Sequence, residues 1–289
     1  MKIKRKIEWI SALDLRNRSK LECLQKKMTD FYSNNPNYYT DISFTEILWL
    51  DKAALVQQDI ISECQHKTAI LEIGCGEAFI LKSNKINKRN YTGLDFSEQL
   101  ILKNKISYPE SNFIKIENPY ELPLENESFD IVFSHFVIEH TVYPNLFLNE
   151  CKRVLKKNGL LIIAAPNFLG RKGITSQKSG FSKGTGREKL NDGKYLDMIF
   201  TAYDNKIRIP AATFYHRLLA SKKPRFFINI NPTCFIYDFS PDVDAVYLTY
   251  EKEIKNYLRN EFNWTELNDE LNRFVSINNL IYIKGVKKV

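Results

Sequence analysis

Glu72-Ile73-Gly74-Cys75-Gly76-Glu77-Ala78 is the first stretch whose residue types and spacing could do chemistry. An apolar run from Ala69 to Ile73 stops at two closely spaced glycines, and an amphipathic segment begins at Glu77. The pattern predicts strand, tight turn and helix, the nucleotide-binding corner of an open parallel sheet. Glycines let the backbone approach a ligand, because no Cβ stands in the way. A helix starting there would point its free N–H groups into the same place. A pyrophosphate is a poor fit, because Phe79 replaces the third glycine of Gly-x-Gly-x-x-Gly and Glu72 sets a carboxylate beside the turn. The plainer alternative is an ordinary strand-to-helix turn.

A second carboxylate sharpens the pattern. Tyr91 to Leu94 reads as a short strand ending in Asp95, nineteen residues after Gly76. An acid at the tip of the second strand can accept hydrogen bonds from both hydroxyls of a ribose. As a cap or turn residue it would serve only local structure. Ser97 then reads as the N-cap of a helix through Leu100, Ile101 and Ile106.

The third cluster follows an apolar strand, Phe129 to Phe133, that runs on into Ser134-His135-Phe136-Val137-Ile138-Glu139-His140. Residues just past the C-terminal end of such a strand face the ligand crevice. A histidine there suits proton transfer, since its ordinary pKa lies near neutrality. His140 is the first choice of base, His135 the second and Glu139 a distant third. The alternative for His140 is a helix-start residue bonding to backbone.

These residues need a sheet to hold them. Asn112 to Ile116 and Leu160 to Ala165 are further strands, the latter apolar as a buried parallel strand should be. A helix from Asn145 to Leu155 turns Leu146, Leu148 and Val154 inward, with Gly159 as its glycine C-cap. Residues 1–66 form an N-terminal cap, with helices over Leu13 to Met28 and Ile47 to Ile61. Between them Phe31, Tyr32, Tyr38 and Tyr39 could line an acceptor pocket or simply pack. At the other end, Tyr250 to Phe262 reads as a helix, with strands over Phe262 to Leu267 and Leu280 to Val286.

Composition excludes several classes. Hydrophobic residues make up 44% and charged residues 26% of 289, the balance of a soluble globular chain. No apolar run reaches the roughly 18 residues of a membrane span, and none follows the basic start as in a signal peptide. Five scattered cysteines without a Cys-x-x-Cys pair argue for reduced thiols, a cytoplasmic location and no zinc site. The net charge of +8 permits an acidic partner. No basic face with interleaved aromatics is apparent, so nucleic acid is not the expected partner.

Glu72, Gly74 and Gly76 match the Glu/Asp-x-Gly-x-Gly-x-Gly motif of class I S-adenosylmethionine-dependent methyltransferases, with Ala78 in the last glycine's place. Ser134 to His140 resembles the Ser-x-x-Val-Leu-Glu-His run of the type-11-like members. The resemblance covers residues 68 to 167 in matching order. It implies an α/β fold, a Rossmann-like, doubly wound, seven-stranded and mostly parallel sheet whose last strand is antiparallel. It places the methyltransferase domain at 67–289, with a long insertion at 168–248.

The implied cofactor is S-adenosyl-L-methionine, whose sulfonium and ammonium suit a nearby carboxylate. Its implied contacts are Glu72, Gly74, Cys75, Gly76, Asp95 and Phe96, with Ser134 at the crevice. Glu117 and Asn118 stand at the adenine segment, where Pro119 has no N–H to give. Asn118-Pro119-Tyr120 precedes the fourth strand, so it is not the similar motif of base-modifying amino-methyltransferases. The implied function is methyl transfer to a small-molecule or glycan precursor, most simply to oxygen. The alternative is a catalytically silent binding or scaffold subunit. In the insertion, Gly170 to Arg187 reads as a lid over an anionic acceptor or as a loop without a role. Asp242 and Asp244, on one side of a strand, could hold sugar hydroxyls or a cation, though without a third ligand no metal is assigned.

Overall fold

The structure is a computed structural model that describes residues 8–34, 54–170, 185–232, 234 and 244–289. Tyr38, Tyr39, Asp242, most of the Gly170 to Arg187 stretch and the first residues of the helix expected from Ile47 lie outside the described residues.

The chain opens with strand β1 (Trp9–Ser11) and helix α1 (Arg18–Asn34), and residues 54–64 form helix α2. Strand β2 (Ile70–Ile73) is followed by β3 (Tyr91–Asp95), α3 (Glu98–Ser107) and β4 (Asn112–Lys115). Then come β5 (Phe129–His135), α4 (Pro144–Val154) and β6 (Leu155–Pro166). The segment between β6 and the next sheet elements carries α5 (Gly186–Asn191), α6 (Tyr195–Tyr203), α7 (Ile209–Lys222) and β7 (Phe227–Asn229). Helix α8 (Glu251–Tyr257), β8 (Phe262–Thr265), α9 (Asp269–Asn278) and β9 (Leu280–Lys287) complete the chain.

Seven strands form one sheet in the order β4-β3-β2-β5-β6-β9-β8. β4 through β6 pair in parallel, while β9 runs antiparallel to both β6 and β8. The chain moves outward from β2 to β4 and then returns to β5 on the other side of β2. That reversal opens a crevice above the C-terminal ends of β2 and β5. Both faces of the sheet are covered, so successive residues of a strand enter different cores. Leu71, Ile73, Val132 and Ile163 pack with Leu24 of α1, Phe147 of α4 and Ile254 of α8. Ile70, Ile131, Phe133 and Ile162 pack with Ile60 of α2, Ile101 of α3 and Leu271 of α9. Lys284 ties α2 to β9 by reaching Asp59 at 2.8 Å and Glu63 at 2.7 Å.

Several local expectations change. α1 begins five residues later than expected, after a 3₁₀ turn (Leu15–Asn17) that Asp14 caps. The segment after Gly76 is a short 3₁₀ helix (Phe79–Ser83) rather than the amphipathic α-helix, because Ala78 takes a left-handed φ of 51°. Gly159 does not cap α4: β6 starts at Leu155, and the left-handed residue is Asn158 at φ 60°. Phe147 and Leu148 face inward from α4, whereas Leu146 is exposed. The C-terminal helix is shorter than expected, and α9 adds one that the pattern did not announce. Asp244 lies in a turn, not on a strand.

The described part of the segment after β6 is mostly helical. Its strand β7 pairs antiparallel with β1, so the start of the chain and this segment share a small second sheet. Phe168, Leu169, Ala220, Phe227, Ala245 and Leu248 form a separate core there.

Candidate active site

The glycine turn is held from three sides. The Gly74 and Cys75 amides donate to the Leu94 carbonyl at 2.7 and 2.9 Å, fixing β2's exit to β3's tip. Asn104 of α3 donates to the Gly76 carbonyl at 2.7 Å. Gly74 and Gly76 take positive φ, 75° and 49°, which glycine adopts without a Cβ penalty. A Cβ on Gly74 would lie 2.2 Å from the Val137 side chain, so this glycine permits the packing of the β5 exit loop. A Cβ on Gly76 would meet nothing within 4 Å, so this backbone borders open space. Glu77 turns outward to Lys82 and Lys103, whose hydrogen bonds pull its pKa down to about 2.

Asp95 is buried beside that open space. Its carboxylate accepts from the Gly76 amide at 2.9 Å and the Ser97 amide at 2.8 Å. A carboxylate offers about four acceptor positions, so these bonds leave acceptor capacity for a sugar hydroxyl. Burial raises its pKa, and the amides of Ser97, Gly76 and Phe96 oppose the rise. Ser97 caps α3 as expected, accepting from the Leu100 amide. Phe96 is half-buried against the core.

The remaining expected contacts separate into two groups. Ser134 sits across from Ile73, and its buried hydroxyl has no hydrogen-bond partner among the described residues. Cys75 is buried against Gly93, with its thiol pKa pushed up by burial. Glu72 is buried and accepts from the Tyr91 hydroxyl at 2.5 Å. Burial favours its neutral acid form strongly, the Tyr91 bond opposes this and Asp95 adds to it. The charge expected beside the turn is therefore spent inside the sheet's packing. The Ile116 amide bonds to the Asp95 carbonyl and brings the next segment to β3's tip. There Glu117 is exposed and pairs with Lys115, and Asn118 accepts from the Tyr120 amide at 3.0 Å. The Tyr120 hydroxyl accepts from the Val142 and Tyr143 amides and donates to Gln25.

The two histidines occupy different environments. His135 packs against Phe79 and Phe136, and burial drives its pKa down to about 3. It is neutral at ordinary pH and a weak base. Phe136 beside it holds a left-handed φ of 56°, the kind of strained backbone that clusters at functional sites. His140 ends a 3₁₀ turn (Ile138–His140) and is partly open, its side chain 26% exposed. Its Nδ1 lies 3.1 Å from Asp244 Oδ2, and its Nε2 lies 3.8 Å from Glu139 Oε1. Both carboxylates are buried. The Tyr32 hydroxyl of α1 donates to the same Asp244 oxygen at 2.6 Å. The Val246 and Tyr247 amides donate to the Glu139 carbonyl at 2.8 and 2.9 Å. Start of chain, sheet and the segment after β6 thus meet at His140.

Sequence reasoning did not find Asp244 as the partner of His140, nor Tyr32 as the partner of Asp244, nor Asn104 and Tyr91 as supports. Asp244 was visible as an acid next to an apolar run, but its partner was not. Among the described residues no cluster of three His, Cys, Asp or Glu side chains is arranged to hold a metal ion.

A family model described as a methyltransferase domain matches residues 71–163. Over 122 residues the chain is 33% identical to a protein of Mycolicibacterium smegmatis named "Probable S-adenosylmethionine-dependent methyltransferase", covering 42% of this chain and 47% of that one. A ubiquinone biosynthesis O-methyltransferase of Bartonella tribocorum is 31% identical over 101 residues, 34% of this chain and 41% of its own. The chain spans about half the length of these curated relatives. A chain from the complex of the Haloferax volcanii Trm112 methyltransferase activator with a methyltransferase shares the fold: TM-score 0.51, 12% identity, 88% of this chain and 97% of that one.

The site fits the cofactor of that family. Gly76 leaves room, Asp95 keeps acceptor positions for a ribose, and the Ser134 hydroxyl is buried and unspent. With its sheet order, its glycine turn and the match over 71–163, the chain carries a class I S-adenosylmethionine-dependent methyltransferase domain.

Proposed function

We propose that the chain methylates an oxygen of a small-molecule or glycan precursor, with His140 as the base. The observation that carries this reading is the 3.1 Å approach of Asp244 Oδ2 to His140 Nδ1 at the crevice edge. A carboxylate this close to Nδ1 favours a proton on that nitrogen and would leave Nε2 to accept one. A hydroxyl needs such a base, whereas a nitrogen or carbon nucleophile with a free electron pair does not. His135 is too weak a base at a pKa of about 3 to share the task. The relatives include both O-methyltransferases and a C-methyltransferase, so oxygen rests on the His140 geometry.

When bound, S-adenosylmethionine supplies an activated methyl group on a sulfonium that leaves readily. The protein then has to align the acceptor and remove one proton. Asp95 would hold the ribose through its remaining acceptor capacity, and the Gly74 to Gly76 backbone would line the cofactor's path. Asn118 would face the adenine amino group with its carbonyl, and Ser134 would face the cofactor between the β2 and β5 tips. Placing His140 Nε2 at the acceptor hydroxyl makes the transfer effectively unimolecular.

The test uses methyl-labelled S-adenosylmethionine and the lysate of the source cells, separated into small-molecule, glycan, protein and nucleic-acid fractions. Label in the small-molecule or glycan fraction, absent with Asp95→Ala, is the expected result. Label confined to protein or nucleic acid overturns the acceptor class. Cofactor binding without label in any fraction replaces the enzyme with a binding subunit.

A further inference from the structure

We infer that the outer face of the α6–α7 helix is a docking surface for an anionic lipid bilayer, lying in the plane of the interface. This reading does not depend on the methyl acceptor. Residues 195–222 are continuous helix, with one π turn (Asp204–Arg208) between α6 and α7. At about 1.5 Å per residue it is roughly 40 Å long. Its polarity is inverted. The side facing the protein carries Thr201, Asp204 and Thr213, all buried, besides Ile209 and Ala220. Those polar groups are satisfied internally: Lys189 donates to Thr201 at 2.9 Å, and Arg208 pairs with Asp204 at 2.8 Å.

The side facing away carries the large apolar residues. Leu196 is 69% exposed, Ile207 58%, Phe214 60% and Leu218 45%, with Ile199 and Tyr203 between them. Leu196, Ile207 and Phe214 are spaced by close to whole turns, so the α6 row runs on into α7. An amphipathic helix buries its apolar side against something, and a stripe this long marks an interaction surface.

Charge selects the occupant. Residues 186–225 hold nine Lys and Arg against four Asp and Glu. The four acids are all engaged: Glu188 in the α5 capping box, Asp192 with Lys194, Asp197 with Lys189 and Asp204 with Arg208. Among the described residues Lys206, Lys222 and Lys223 are exposed with no ion-pair partner. An apolar stripe bordered by free lysines matches the acyl boundary and phosphate layer of an anionic leaflet. A second copy of this chain would bring the same lysines face to face. No helix among the described residues is long and apolar enough to cross a membrane, so the contact is interfacial.

The test is sedimentation of the full chain with phosphatidylcholine vesicles, with and without about a third phosphatidylglycerol, at roughly 0.1 M salt. Binding at least about tenfold stronger to the anionic vesicles is expected, weakening as salt rises. Ile207→Asp, Phe214→Asp and Leu218→Asp together should lower it about tenfold or more. Lys222→Glu with Lys223→Glu should lower it about threefold or more. All five side chains are exposed, so the circular dichroism and melting of these variants should match the parent. If the triple variant misfolds, Phe214→Asp alone serves, with a smaller expected loss. No sedimentation with anionic vesicles, or sedimentation that the apolar variants leave unchanged, overturns the inference. So does lipid-free self-association that Phe214→Asp abolishes, which assigns the stripe to a second copy.

Discussion

Asp244 Oδ2 lies 3.1 Å from His140 Nδ1 although the two residues come from opposite ends of the fold's main connection. His140 belongs to the exit of β5, and Asp244 arrives with the segment after β6. The pairing is held by the Val246 and Tyr247 amides on the Glu139 carbonyl, which dock that segment on the β5 exit. Tyr32 adds a third attachment from α1. The segment therefore brings a buried carboxylate to the β5 exit.

If His140 removes the acceptor proton, His140→Ala should lower turnover by about two orders of magnitude or more, the usual share of general-base catalysis. Cofactor affinity should stay within about twofold, because His140 is outside the glycine turn. Asp244→Asn should lower turnover by about tenfold by releasing the ring's orientation. Tyr32→Phe, which keeps the Asp244 to His140 contact, should cost much less. Steady-state kinetics beside calorimetric cofactor titration separate these effects. Turnover unchanged in His140→Ala would remove the base assignment, whatever the cofactor affinity.

The two glycines of the turn should fail differently. Gly76→Ala places its Cβ in open space, so the fold should persist with about 1 kcal/mol of left-handed strain. On the proposed cofactor position, affinity should nevertheless fall at least about tenfold, because the added Cβ would occupy the space left for the cofactor. Asp95→Ala should weaken cofactor binding by a similar factor through the lost ribose acceptors. Gly74→Ala drives its Cβ to 2.2 Å from Val137 and should destabilise the fold itself. Melting curves and cofactor titration on the three variants check this. Equal affinity in Gly76→Ala and the parent would place the cofactor elsewhere.

What was legible in the sequence was local. β2, β3 and β5 are short apolar runs that appear where the pattern sets them, while β6 covers its expected run but starts five residues earlier, at Leu155. The Ser97 cap and the Asp95 strand tip follow from residues adjacent in the chain. The helix after Gly76 was not legible, because its start depended on whether Ala78 would enter left-handed space and tighten the turn. The His140 partner was not legible either, since it required docking a remote segment. The α6–α7 helix carries Pro210 near its middle, a residue that ordinarily interrupts a helix. This proline falls just after the π turn, where the regular hydrogen-bond ladder is already interrupted.

Glu253 offers a test of how the segment after β6 is seated. It is buried in α8 and accepts from the Arg225 amide at 2.7 Å, the Phe226 amide at 2.9 Å and the Tyr247 hydroxyl at 2.8 Å. Burial outweighs these donors and lifts its pKa from 4.5 to about 7. Between those two values the folded chain holds a proton that the unfolded chain has released. Its contribution to stability is therefore greatest below about pH 4.5, falls as pH rises towards 7 and is level above. The full change is on the order of 3 kcal/mol at most. Glu253→Gln stays neutral and keeps an oxygen for the two amides, while Tyr247 can turn its hydroxyl to accept from the new amide. The parent should lose melting temperature relative to Glu253→Gln from pH 5 to pH 8, and the two should differ little at the acid end. Parallel melting curves across that range would mean that Glu253 ionises in the folded state as it does in the unfolded chain. In that case Tyr247, and the Asp244 turn ahead of it, would be held by packing rather than by a shared proton.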